Sequence, residues 1–161
     1  MILILMGVVG SGKTTLGTLL AAELGWEFAD ADDFHSPENK EKIRHGISLT
    51  DADRGPWLTN LRVQIDAWIG ARRNAILACS ALKQSYRQEL QVSQDVHFVY
   101  LKGSAELIEA RLSGRRGHFA DDKILAGQFA DLEEPTNALT VSITGSPAEI
   151  VSEIRRKLRL A

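Results

Sequence analysis

The chain has 161 residues, a formal charge of −2 and an ordinary apolar share of 44%, which places it with globular proteins large enough to bury a real core. That charge excludes a strongly basic nucleic-acid binder, and no apolar stretch approaches the length needed to span a bilayer. The single cysteine, Cys79, excludes an intramolecular disulfide, fits a reducing compartment, and reads as a small buried residue rather than a nucleophile.

The apolar run Ile2 to Met6 reads as a buried strand. It has no basic leader and no cleavage-like site, so a secretory signal is not expected and a cytoplasmic location is. Gly7-Val8-Val9-Gly10-Ser11-Gly12-Lys13-Thr14 follows, and it satisfies the phosphate-loop pattern G-x-x-x-x-G-K-[ST] at every fixed position. Such a turn aims successive backbone N–H groups at phosphate oxygens, helped by the positive end of the next helix. Lys13 supplies a mobile charge for the β- and γ-phosphates, and the Thr14 hydroxyl suits Mg²⁺. Thr15 packs or caps in the first helical turn. The pattern alone does not separate ATPases, GTPases and kinases.

The first helix is expected from about Lys13 to Leu24, stopped by Gly25. A second strand, Trp26 to Asp30, ends in Asp30-Ala31-Asp32-Asp33-Phe34-His35. In an open parallel sheet, ligands sit at that strand edge. One carboxylate there could hold Mg²⁺ directly or through water, and another could orient or deprotonate an attacking hydroxyl. A solvated acidic turn is the plain alternative, with Asp33 a bystander.

Ser36 to His45 reads as a polar helix ended by Gly46. Leu49 to Trp57 reads as a turn into another helix, with Pro56 at a first helical position and Arg54 just before it, able to meet an anion. Leu58, Leu61, Ile65, Trp68 and Ile69 form its core stripe. Ala75 to Cys79 is a third strand, after which Lys83 and Arg87, four residues apart, could present two charges from one helix face at the ligand edge; a solvated basic face is the alternative. Val96 to Leu101 is a fourth strand, and Ser104 opens the next helix. Arg111, Arg115, Arg116 and His118 crowd one region, with Gly114 and Gly117 bracketing the arginines. This segment reads as a flap that closes over triphosphate, with an arginine stabilising charge on the transferred group. Ile124 to Leu132 is a further helix, and Ala138 to Ile143 a last strand. Ser146-Pro147-Ala148-Glu149 is a capping box for the closing helix, and the loop from Gly145 to Pro147 is a candidate adenine pocket. Alternating strands and helices give one three-layer α/β domain over residues 1–161 around a sheet of five parallel strands.

These residues resemble the gluconate kinase (gluconokinase) family. The resemblance is carried by Gly7 to Thr14, Asp30 to His35, Asn39, Lys42, Gly46, Leu49, Asp51, Asp53-Arg54, Pro56-Trp57-Leu58, Cys79 to Lys83, Tyr86-Arg87, Arg111-Leu112, Arg115, Gly117-His118-Phe119, Gln128-Phe129, Leu132-Glu133 and Pro135, and it spans about residues 2–143. It implies a P-loop kinase of the nucleoside-monophosphate-kinase-like fold, strand order 2-3-1-4-5, often dimeric, with a lid at about 113–123. It implies ATP and Mg²⁺ as cofactors and transfer of the γ-phosphate to the 6-hydroxyl of D-gluconate. Asp32, His35, Arg54, Lys83, Arg87 and His118 then fall on the acceptor side. The loop residues Gly7 to Thr15, with Arg111 and Arg115, fall on the ATP side; Lys13, Asp32 and Arg115 are the expected catalytic groups, and Thr14 and Asp30 the metal ligands. The sequence departs from the family pattern at Val9, Thr14, Ser48, Ala120 and Gly127. The remaining readings are a same-fold kinase for another small acid, such as shikimate, or for a nucleoside monophosphate, and a nucleotide-binding switch without catalysis.

Overall fold

The computed structural model describes residues 1–113 and 119–161, and of residues 119–123 the backbone alone. In chain order the elements are β1 (Ile2–Met6), α1 (Lys13–Leu24), β2 (Glu27–Asp30), α2 (Pro37–Arg44), α3 (Asp51–Gly70), β3 (Ala75–Ala78), α4 (Gln84–Leu90), β4 (Val96–Lys102), α5 (Ala105–Ser113), α6 (Phe119–Asp131), β5 (Leu139–Ser142) and α7 (Pro147–Leu158). All neighbouring strands pair in parallel, in the order β2-β3-β1-β4-β5, as the family resemblance implies.

β1 lies in the middle because every one of its side chains is apolar, and all five are fully buried. Leu3 and Leu5 face one side of the sheet, where Leu16 and Leu20 of α1, Ile108 of α5 and Ile154 of α7 cover them. Ile2, Ile4 and Met6 face the other, against Trp57, Leu61 and Ile65 of α3 and Leu90 of α4. A strand buried on both faces fixes the position of the loop that leaves it, and each such Leu or Ile contributes about 1.5–3 kcal/mol by burial.

The helix starts follow local chemistry. The Ser36 and Ser146 hydroxyls accept the Asn39 and Glu149 N–H groups at 3.1 and 3.2 Å, with Pro37 and Pro147 at the first helical positions. Pro56 requires a correction: α3 begins five residues earlier, at Asp51, and Pro56 lies inside it. The cause is a full capping box, in which Thr50 Oγ1 accepts the Asp53 N–H at 3.1 Å and Asp53 Oδ2 accepts the Thr50 N–H at 2.9 Å. Two satisfied backbone donors outweigh the single helical bond that proline forgoes near the helix start.

Chain direction reverses about β1, whose neighbours β3 and β4 carry the chain to opposite sides of the sheet. The carboxyl ends of β1, β2 and β3 therefore open one crevice at the switch point, where parallel α/β sheets take ligands. Among the described residues no helix is long and apolar enough to cross a membrane.

Candidate active site

The loop after β1 wraps the amino end of α1. Gly12 caps that helix at φ +96°, and Gly10 turns at φ +80°, where an added Cβ would stand 3.0 Å from Ile108 and Leu112. Lys13 Nζ donates to the Gly7 and Val8 carbonyls at 3.0 Å each, so the ammonium lies over the loop that the triphosphate would enter. A cavity of about 220 Å³ is bounded by Gly10, Gly12, Thr14, Thr15 and Asp30 together with Lys13 and Asp32. A second cavity, of about 180 Å³, adjoins it and is lined by Val9, Lys13, Asp32, Arg54, Gln128 and Asp131, among others. Val9, Lys13, Asp32 and Ser80 line both. A cup over the phosphate loop and a chamber beside it thus meet at Lys13 and Asp32.

Thr14 Oγ1 donates to Asp30 Oδ2 at 2.8 Å, which leaves the hydroxyl lone pairs for a hard cation. Asp30 Oδ1 also accepts the Asp32 N–H at 2.9 Å, so one carboxylate positions both partners. Among the described residues no three His, Cys, Asp or Glu side chains converge as a metal site. An oxygen pair completed by substrate phosphates and water is the donor set that suits Mg²⁺. Asp32 opens on the cleft, yet surrounding protein strips part of its hydration. That loss, followed by the nearby Asp30 charge, holds its carboxyl above the usual range, and the Lys13 ammonium opposes the rise.

In the wall of the chamber Arg54 Nη1 donates to Tyr86 Oη at 2.9 Å, and Nη2 stands 3.5 Å from Asp131 Oδ2. Tyr86 Oη in turn donates a short hydrogen bond to Asp51 Oδ1, which also accepts Lys83 Nζ at 3.1 Å. The Tyr86 bond, then the Lys83 bond, lowers the pKa of Asp51; its carboxylate raises that of Lys83. Burial, then the Asp51 bond, raises that of Tyr86. Arg54 is the cation of this set that lines the chamber, while Lys83 holds the network from the start of α4.

Two acceptor-side expectations are corrected. Arg87 does not share a ligand-facing surface with Lys83: it is 7% exposed and donates to the carbonyls of Ala81 at 2.7 Å, Leu82 at 3.0 Å and Glu133 at 2.8 Å. It clamps the turn after β3, where Ala81 adopts φ +46°, against the chain after α6. His35 is buried and stacked on Trp57 with ring centroids 4.4 Å apart, and it does not line the chamber. Burial, with the Arg54 and Lys40 charges, pushes its pKa down to about 4. It braces Trp57, whose Nε1 donates to Ala31 O at 2.7 Å and so fixes the turn carrying Asp32.

Val9 also differs from expectation. Its N–H donates to Gln128 Oε1 at 2.6 Å rather than standing open in the phosphate cup, because α6 passes beside the loop. Arg111 donates a short bond to Ile143 O, which places it beside the loop from Gly145 to Pro147. Cys79 is buried, and burial pushes its thiol up to about 12, as suits packing. Arg115 and His118, with most of the expected lid, lie outside the described residues. Asp51, Tyr86 and Gln128 carried only resemblance in the sequence, and Asp131 carried no signal beyond its spacing three residues from Gln128. The departures Ser48 and Gly127 prove to be neighbours: a Cβ on Gly127 would stand 2.8 Å from Ser48 Oγ, so the smaller residue makes room for that hydroxyl.

Residues 9–159 match the family described as shikimate kinase. A gluconokinase of Gluconobacter oxydans is 40% identical over 158 residues, covering 96% of this chain and 89% of its own. Among solved structures, a sugar kinase from Janibacter superposes with a TM-score of 0.91 at 42% identity, over 99% of this chain and 95% of that one. A gluconokinase from Sinorhizobium meliloti gives 0.83 at 34% identity, over 98% and 94%.

Proposed function

The chain belongs to the gluconokinase family of P-loop kinases, and on that premise we propose that it transfers the γ-phosphoryl group of ATP to the 6-hydroxyl of D-gluconate, giving 6-phospho-D-gluconate and ADP. The observation that carries this reading is the meeting of the two cavities at Lys13 and Asp32, with Arg54 among the residues that line the second.

The chemistry follows from position. ATP lies with its phosphates against the loop amides and Lys13, its γ-phosphorus turned toward the chamber. Gluconate lies in the chamber with its carboxylate toward Arg54, a guanidinium fork that suits such a group. Its terminal hydroxyl then meets Asp32, which aligns it and accepts its proton as the new O–P bond forms and the bond to the β-phosphate oxygen breaks. Asp32 suits this because its raised pKa makes it a stronger base than an ordinary carboxylate. Lys13 follows the charge moving onto the β–γ bridging oxygen. Thr14 and Asp30 would hold Mg²⁺, which when bound neutralises the phosphate charge. We read residues 1–161 as one kinase domain in which residues 113–123 act as a lid, Arg115 stabilises the transferred group, His118 reaches the acceptor and Arg111 flanks the nucleotide. A cytoplasmic location and a homodimer complete the proposal.

The test is ADP release by purified protein with Mg·ATP over gluconate, related sugar acids, shikimate, nucleoside monophosphates and no acceptor. Gluconate-dependent release well above the other arms supports the reading. Release that prefers shikimate or a nucleoside monophosphate, or that ignores every acceptor, overturns it.

A further inference from the structure

Gln128 lines the chamber and bonds Val9, which lines both cavities, and its amide has been given only half a task. The Val9 N–H is a donor, so the atom facing it at 2.6 Å must be the carboxamide oxygen. That contact settles the orientation of the side chain, leaving Nε2 as the polar group that Gln128 can present to the chamber it lines. Among the described residues Nε2 has no hydrogen-bond partner. Three residues on, along the same face of α6, Asp131 approaches Arg54.

We propose that Gln128 is a specificity-determining residue for the acceptor, its Oε1 held by the phosphate loop and its Nε2 donating to an oxygen of the polyhydroxy acid. This rests on the proposed acceptor class. A carboxamide fixed at its oxygen end is a pre-oriented donor, so it costs little side-chain entropy to use. It would also tie the acceptor to the loop that grips the triphosphate, which sets the distance between the hydroxyl and the γ-phosphorus. A site that donates to a substrate oxygen discriminates against acids lacking it.

The experiment compares wild type, Gln128→Met and Gln128→Glu in steady-state kinetics with gluconate and ATP varied separately, alongside thermal melts. Gln128→Met keeps the volume and loses both hydrogen bonds; Gln128→Glu keeps the acceptor for Val9 and loses the donor. The expected result is a rise of about tenfold or more in KM for gluconate in both, the size of one lost hydrogen bond to a ligand. KM for ATP should stay near wild type in Gln128→Glu. Unchanged KM for gluconate in Gln128→Met, with the loss confined to ATP binding or melting temperature, overturns the proposal and leaves Gln128 a brace for Val9. Wild-type turnover reads the acceptor class separately: turnover of another hydroxy acid moves the same comparison to that acid, and turnover of none overturns both.

Discussion

Replacing Arg87 by methionine tests whether this arginine serves the fold or the ligand. The guanidinium donates to three carbonyls, those of Ala81, Leu82 and Glu133. Leu82 O also accepts the Glu133 N–H at 2.8 Å, so it keeps a partner when Arg87 is gone. The carbonyls of Ala81 and Glu133 lose the Arg87 bond in a region where Ala81 and Leu82 are buried. At about 1–3 kcal/mol for the Ala81 carbonyl left unsatisfied in its buried turn and about 1 kcal/mol for the bond to Glu133, an exposed residue whose carbonyl water can reach, with methionine preserving much of the stem packing, the loss should be about 3 kcal/mol. For a chain of this size that lowers the melting temperature by roughly 6–12 °C. Calorimetry or a thermal-shift scan reads the change, and steady-state kinetics below the transition reads the site. KM for gluconate should stay near wild type. An unchanged melting temperature together with a selectively raised KM for the acid would refute the assignment of Arg87 to the clamp.

Arg54→Met should do the reverse, raising KM for the acid by about a hundredfold or more while KM for ATP holds, since it removes a charged hydrogen-bonding partner from the chamber. Lys13→Ala should lower kcat by at least ~10²-fold with an intact circular-dichroism spectrum. Asp32→Asn should lower kcat by ~10²–10⁴-fold. In the wild type, the rising limb of the pH–rate profile should lie above the ordinary carboxylate range, because a base with a raised pKa gains its working form later as pH climbs. His35 should make stability fall with acidity. Its pKa drops from 6.5 to about 4 on folding, so below 6.5 the unfolded chain binds a proton that the folded one refuses, and the loss saturates near 4. Allowing for residual solvent contact, the loss is about 2 kcal/mol. Urea midpoints from pH 7 to 4 should show it, and His35→Phe, which keeps a ring on Trp57, should flatten that part of the curve.

What the sequence made legible were features whose cause is local. The phosphate loop, the two Ser-Pro helix starts, the buried strand β1 and the stop at Gly25 each follow from a few adjacent residues. The strand order came with the family resemblance rather than with any pattern in the strands. The acceptor chamber was legible only in part, because its walls come from segments far apart in the chain. Spacing alone put Arg87 beside Lys83, but i,i+4 geometry holds only inside a helix, and Lys83 caps α4 rather than belonging to it. Arg87 turns inward because carbonyls from three residues converge on it, one of them 46 residues away. His35 closes an acidic turn and was placed on the acceptor side by resemblance, yet Trp57 from α3 covers it. Pro56 read as a helix start because proline favours that position, while the Thr50–Asp53 pair, six and three residues earlier, offered two backbone bonds instead. Asp131 and Gln128 belong to a helix with no motif of its own, and only the fold shows that they face Arg54 and Val9.

The central claim is geometrical: the hydroxyl farthest from the acceptor's carboxylate is the one brought to the γ-phosphorus. Phosphorus–proton correlated NMR of the product formed from ATP and D-gluconate tests it most directly. The account predicts one phosphate ester whose phosphorus couples to the two protons of the terminal CH₂. Coupling to a single methine proton, or inorganic phosphate with no ester at all, would contradict it.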